Sequence, residues 1–408
     1  MVTAYETVAV TFRFGDVEVD PARFEVRRAG ATTPVEPQVF DLLLYLITHR
    51  DRVVTKAELL DNLWGDRFVS ESALTSRIKA ARKAVGDDGR EQRVVRTVHG
   101  RGYRFVADLA APPVAATEAT APPPGGAPAQ TVRFCRAGDG IRLAYAVSGE
   151  GAPLLKAANW LSHLDYDWES PVWHHWWEAL SRTRRLIRYD ARGCGLSDWD
   201  VDDFNMEVWT RDLETVVDAA GVDRFDLLGI SQGGAVAQAY AATHPDRVRK
   251  LVLYGTYLRG RRARARTPEQ VAESDLQVQL ARVGWGRDDP SFRRVFAMQF
   301  MPNGTFELWE QFAELQRRTT SPENAVRFLE SYRRIDVSQL APEITVPTLV
   351  LHSRDDRRVP VEEGRRVAAT IPGSRFVTLE SSNHILLADE PAWPRFLEEV
   401  ERFLAPDG

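Results

Sequence analysis

Phe225-Asp226-Leu227-Leu228-Gly229-Ile230-Ser231-Gln232-Gly233-Gly234-Ala235-Val236-Ala237-Gln238-Ala239-Tyr240 decides the fold of the larger part of this chain. An apolar run of strand length passes through Gly229-Ile230-Ser231-Gln232-Gly233 into a stretch of strong helix formers. Glycines on either side of Ser231 permit the sharp strand-to-helix turn that lifts a serine hydroxyl clear of the backbone. The helix N-terminus behind it favours negative charge on a neighbouring oxygen. A serine so placed needs a base, and the base needs an orienting carboxylate.

Both partners follow downstream. Asp355 and Asp356 lie directly after the strand-like Thr348-Leu349-Val350-Leu351, and His384 lies after Phe376-Val377-Thr378-Leu379. Further apolar runs, Pro153–Leu155, Leu186–Tyr189 and Leu251–Tyr254, alternate with helical stretches. That alternation predicts a mostly parallel sheet covered by helices on both faces. Residues 258–335 break the rhythm, being helical and charged without strand-like runs, and read as an inserted helical cap. The arginine run Arg259, Arg261, Arg262, Arg264 and Arg266 reads as its solvated face. Of the tryptophans in 160–177, Trp173, Trp176 and Trp177 read as the core side of a helix.

Upstream, residues 111–131 are rich in proline and alanine and offer almost nothing large to bury. Such a segment is expected to be an extended tether, spanning ~3.1 Å per residue where fully extended. It divides the chain into domains at 1–110 and 132–408. The first carries short alternating runs split by Asp20-Pro21, a helix beginning near Pro37, and a capping-box start at Thr55-Lys56-Ala57-Glu58. A further helix runs from about Ser70 to Val85, and the glycine-tipped hairpin Val98-His99-Gly100-Arg101-Gly102-Tyr103 follows. From 71 to 104 there are nine Lys or Arg against four Asp or Glu, inside a chain of formal charge -5. A local excess of that kind is the expected footprint of a duplex-DNA contact.

Two resemblances follow from these motifs. Residues 10–108 resemble the winged-helix DNA-binding domain of the OmpR/PhoB response-regulator family, an α+β winged helix-turn-helix, in element order and in the ending Thr97-Val98-His99-Gly100-Arg101-Gly102-Tyr103-Arg104-Phe105. The resemblance implies major-groove contacts from Ser72, Thr75, Arg77, Lys79 and Arg82 and a minor-groove contact from Arg101. It also implies double-stranded DNA as a partner, often bound by pairs, hence a homodimer. No receiver domain precedes the module, so the input is expected from the other half.

Residues 132–405 resemble the α/β-hydrolase superfamily, with the order Ser231, Asp356, His384 and the accessory stretch Asp190-Ala191-Arg192-Gly193-Cys194-Gly195-Leu196-Ser197-Asp198. The resemblance favours Asp356 over Asp355, because Asp-x-x-Val-Pro is the usual frame. The accessory stretch reads as structural, with Asp190 and Arg192 bracing a loop. Where most relatives carry His-Gly, this chain has Lys156-Ala157-Ala158-Asn159-Trp160. The oxyanion donors implied are the amides of Trp160 and Gln232, in an atypical loop.

Two lone cysteines, no secretory pattern and no apolar run near ~20 residues lead to the expectation of a soluble cytoplasmic protein without membrane contact. No cofactor is called for, and His174 and His175 lack a third ligand, so no metal is expected either. Joined, the halves read as a one-component transcriptional regulator whose serine-hydrolase domain senses, and possesses the residues to cleave, a small ester- or lactone-like molecule. The alternative is a serine hydrolase that uses the winged helix as a tether or to control its own expression.

Overall fold

The computed structural model describes residues 12–20, 25–33, 35–50, 52–56, 58–60, 71–98, 100–107, 109, 129–287 and 289–406. The chain divides into two compact units, Met1–Pro123 and Pro124–Gly408.

The first unit opens with an antiparallel sheet of β1 (Phe12–Phe14), β2 (Val17–Asp20), β3 (Glu25–Arg28) and β4 (Ala31–Thr33), paired in sequence order. Alternation does the work here: Val17 and Val19 turn inward while Glu18 and Asp20 stay partly exposed. The helix Pro37–Thr48 has proline at its first turn, where the missing N–H costs nothing. It buries Phe40, Leu43 and Ile47 against Leu74, Ile78 and Ala81 of the helix Glu71–Ala84. At the capping-box start, Glu58 N–H does donate to Thr55 Oγ1, as the motif requires; residues 61–70 lie outside the described residues.

A second sheet joins β5 (Val54–Thr55), β7 (Gly102–Phe105) and β6 (Val95–Val98) in that order. Gly102 has φ +149°, and a Cβ there would stand 2.0 Å from Val54 O, so only glycine lets β7 approach β5. Buried Asp87 gathers the amides of Arg93, Val94 and Val95 at the entrance to the hairpin.

Arg82 corrects the sequence reading. It is buried, and its guanidinium donates twice to Val95 O (2.9 and 2.7 Å) and once to Thr97 Oγ1 (2.9 Å). It therefore belongs to the interior, tying the helix to β6, with its donors turned onto the protein rather than outward.

The second unit is built on an eight-stranded sheet. Its strands are β8 (Gln130–Arg136), β9 (Arg142–Ser148), β10 (Pro153–Lys156), β11 (Arg185–Tyr189), β12 (Phe225–Ile230), β13 (Val248–Tyr254), β14 (Thr348–Ser353) and β15 (Arg375–Leu379). The order is β15-β14-β13-β12-β10-β11-β9-β8; all neighbours from β15 to β11 are parallel, while β8 and β9 pair antiparallel at one edge. Gln130 and Thr131, assigned to the tether from sequence, already stand in β8; residues 111–128 lie outside the described residues. β12 and β14 are buried along their whole length, as a sheet covered on both faces requires.

Between β13 and β14 the chain forms the helices Arg261–Arg264, Pro268–Gly284, Ser291–Phe300, Phe306–Thr319 and Pro322–Tyr332. Among the described residues no helix is long and apolar enough to cross a membrane.

Replacing Arg82 by alanine should loosen the β6–β7 hairpin selectively. Hydrogen exchange on the full chain should show the opening free energy of the Val95–Thr97 amides falling by about 1–3 kcal/mol, with amides of β12 unchanged.

Candidate functional site

The parallel strands deliver their C-terminal ends to one edge, where a ligand cleft is expected in an open α/β sheet. Ser231 leaves β12 with φ +53° and ψ −127°, a backbone state that non-glycine residues avoid at a cost of about 1–3 kcal/mol. Two bonds hold it there: Ser231 N–H donates to Tyr254 O (2.8 Å), and Gly234 N–H donates to Ser231 O (3.0 Å). The turn closes only because its flanks lack side chains. A Cβ on Gly229 would stand 2.6 Å from Gly234 Cα, and one on Gly233 2.7 Å from Ala158 O. The helix Gln232–Thr243 is thereby drawn against both β12 and the loop after β10.

Asp356 and His384 arrive from β14 and β15. His384 Nδ1 lies 2.6 Å from Asp356 Oδ2, and both residues are buried. The other carboxylate oxygen accepts from the amides of Arg358 (2.8 Å) and Val359 (2.9 Å). Burial works against the Asp356 charge, but the His384 and His352 imidazoles and these bonds outweigh it and hold the carboxyl below its ordinary range. Asp355 is exposed and plays no part in this pair. His384 Nε2 is buried without a hydrogen-bond partner, which leaves it open as a proton acceptor. The imidazole loop is braced from above, where Phe300 O accepts from the amides of His384 (2.8 Å) and Ile385 (3.1 Å).

The loop after β10 is unusual in both its residues and its bonds. Trp160 N–H donates to Gln232 Oε1 at 2.7 Å. The amide assigned to the oxyanion is thus already satisfied by the side chain of the other assigned residue. The Gln232 amide, at the first turn of its helix, has no intrahelical acceptor. Beneath the loop, Lys156 Nζ donates to Asn159 Oδ1, and Asn159 Nδ2 to Trp160 O (3.4 Å). Burial pushes the Lys156 ammonium down to about 8 and the neighbouring Asp167 carboxyl up to about 7. Lys156 and Asp167 thus stand with Arg188 and Asp190 in one buried charged group beneath the loop.

Trp160, Ser231, Tyr257, Phe300, Tyr332 and Val359 line one cleft. Arg261, Arg264 and Arg358 line it too. The first two come from the run read from sequence as a solvated face, and Arg358 comes from the loop after β14 that carries Asp355 and Asp356. Trp173, Trp176 and Trp177 are core, as expected. Asp190 accepts from the amides of Leu164 and Leu196, and Arg192 pairs with Asp212 and Asp139, so the accessory stretch is a brace.

In the winged unit Thr75 and Lys79 are exposed one helical turn apart, and Arg101 is exposed at the hairpin tip. The side chain of Ser72 lies outside the described residues. Arg77 is drawn back, its Nη1 3.0 Å from Glu36 Oε2 and its Nε donating to Gln38 Oε1 (3.3 Å). Lys83 is exposed on the same helix face as Thr75 and Lys79, a position the sequence reading passed over although it continues their spacing of four.

Comparison with known proteins agrees with both units. Residues 163–391 match the alpha/beta hydrolase fold family, and residues 30–105 match the family described as transcriptional regulatory protein, C terminal. A 2-hydroxy-6-oxo-2,4-heptadienoate hydrolase of Pseudomonas putida is 30% identical over 252 residues, 58% of this chain and 85% of that protein. A pyrrolizixenacetamide deacetylase of Xenorhabdus hominickii is 26% identical over 250 residues, 61% and 90% of the two chains. Among solved structures, the esterase RhEst1 of Rhodococcus sp. superposes with a TM-score of 0.56 at 27% identity, covering 68% of this chain and 99% of its own.

Two substitutions probe the site. Asp356→Asn should leave folding intact yet lower ester turnover by about 10⁴-fold, because the imidazole loses its orienting charge. Gln232→Ala should release the Trp160 amide and raise kcat several-fold, on the order of 1 kcal/mol for one exchanged hydrogen bond. Stopped-assay kinetics on an activated ester read both.

Proposed function

The chain belongs to the α/β-hydrolase fold family, and from that footing we propose that it is a one-component transcriptional regulator. Its winged helix binds double-stranded DNA, and its hydrolase unit senses, and slowly cleaves, a small ester- or lactone-like molecule. The observation that carries this reading is the Asp356–His384 pair at 2.6 Å, delivered with the elbow serine to one edge of the sheet, on the same chain as a transcription-regulator DNA-binding domain.

In the chemistry proposed, Ser231 Oγ bonds to the carbonyl carbon while its proton passes to His384 Nε2. Asp356 stabilises the resulting imidazolium. The oxyanion is held by the Gln232 amide and by the Trp160 amide, once the Gln232 side chain yields. Collapse expels the alcohol oxygen, which takes the proton from His384. Water repeats the cycle on the acyl-enzyme and releases the acid. Breaking the Trp160–Gln232 bond in each cycle favours a slow catalyst over a fast one.

On the DNA side, Lys79 and Arg101 are the cations best placed for phosphate and minor-groove contact, with Thr75 and Ser72 toward the helix start. A ligand changes DNA affinity only by binding one DNA-competence state better than another. A metabolic hydrolase merely tethered by its winged helix would show no such linkage.

A fluorophosphonate probe should label the wild type and leave Ser231→Ala unlabelled. Duplex binding measured against salt should weaken in Lys79→Ala and in Arg101→Ala, each losing about one unit of slope in log K against log salt. Unchanged slopes in both variants would remove the DNA assignment. Absence of labelling in folded wild type would remove the catalytic one.

A further inference from the structure

The cleft beside Ser231 holds more positive charge than its own carboxylates neutralise. Arg358 donates through Nη1 to Gln277 Oε1 and Gln299 Oε1, both at 3.0 Å, and lies 5.0 Å from the Phe300 ring centroid. Arg264 donates to Arg259 O (3.1 Å) and lies 5.6 Å from the Tyr257 ring centroid. Among the described residues neither guanidinium has a carboxylate within ion-pair distance. The acidic groups nearby are committed elsewhere: Glu273 to Arg261, Glu363 to Arg366 and Asp356 to His384.

A half-buried guanidinium bonded only to neutral amide oxygens is not fully satisfied, since drawing its charge partly out of water costs free energy that such partners recover only in part. Burial, and then the like charge of Arg261, push Arg358 down to about 9. The same cluster continues outward. Arg261 and Arg264 line both the Ser231 cleft and a second, outer depression with Arg266, Arg357 and Arg366. Cations therefore run from the surface to within reach of the nucleophile, a layout that draws in anions and fixes their direction of entry.

The walls say what else the ligand carries. Phe300, Val359, Tyr332 and Trp160 offer apolar area, and the planar forks of Arg358 and Arg264 suit a carboxylate held by two parallel bonds. We propose that the molecule taken by this site is a small carboxylate-bearing ester or lactone, its carbonyl at Ser231 and its carboxylate on Arg358 and Arg264. This inference rests on the hydrolase reading of the cleft and adds to it the charge of the ligand.

Matched half-esters and diesters test it: the monomethyl esters of succinic through suberic acid against the corresponding dimethyl esters. Binding to the full-length Ser231→Ala protein is measured by calorimetry and thermal shift, so the readout does not depend on turnover. At least one half-ester should bind about tenfold or more tightly than its diester. That preference should vanish in Arg358→Gln, shrink in Arg264→Gln, and return in part in Arg358→Lys. Parity, diester preference or no binding across the series would overturn the proposal. So would inorganic phosphate stabilising the protein as strongly as the best half-ester, which would mark a general anion patch. The two readings fail separately: half-ester preference without fluorophosphonate labelling of the wild type removes catalysis and keeps the anion pocket, and labelling without preference does the reverse.

Discussion

A serine held at positive φ is the constraint around which the larger unit is arranged. The state persists only because the surroundings over-determine it. β13 takes the Ser231 amide, the next helical turn takes its carbonyl, and bare glycine backbone on each side removes the atoms that would collide. From that close approach follow the placement of the loop after β10 against the Gln232 helix and the alignment of three strand ends on one edge. The strain is local, whereas the burial that offsets it is spread along β12, β13 and β14.

The helices between β13 and β14 do more than cover that edge. Phe300, which ends one of them, holds the His384 loop by its carbonyl and meets the imidazole ring at 5.3 Å. Its ring also meets the Phe312 ring at 5.2 Å and the Arg358 guanidinium at 5.0 Å. One side chain therefore touches the base and the cation that flanks the cleft, so the inserted helices are part of the site's geometry. Arginines supplied from this insertion and from the acid loop share one cavity although about a hundred residues separate them in sequence.

Much of this was legible in the chain, for reasons that can be named. The elbow is a local pattern, a strand, a glycine-flanked serine and a helix, and local patterns survive folding. The choice of Asp356 over Asp355 rests on the Asp-x-x-Val-Pro frame, and the amides of Arg358 and Val359 within that frame are the ones that bond its carboxyl. β8 is a partly exposed edge strand whose alternation is weak and whose Phe134 points outward, while β9 beside it is buried from Leu143 to Ala146 but lacks a run of branched residues. Arg82 was misread from its charge, although its position four after Ile78 already puts it on the buried face. The arginine run misled in the other direction. Only Arg261 and Arg264, three apart, meet the cleft, and composition has no means of singling them out.

In the proposed chemistry, the bond between Trp160 N–H and Gln232 Oε1 separates occupancy of the cleft from cleavage of its occupant. A neutral carbonyl oxygen gains no more from that amide than the glutamine oxygen does, so it has no reason to displace it; a developing oxyanion does. Occupancy of the cleft and cleavage of its occupant then run on different clocks. In the proposed reading a molecule fills the site at a concentration set by the arginines and the aromatic walls, and its cleavage waits on release of the Trp160 amide. In that reading the interval between arrival and cleavage is set by one side chain.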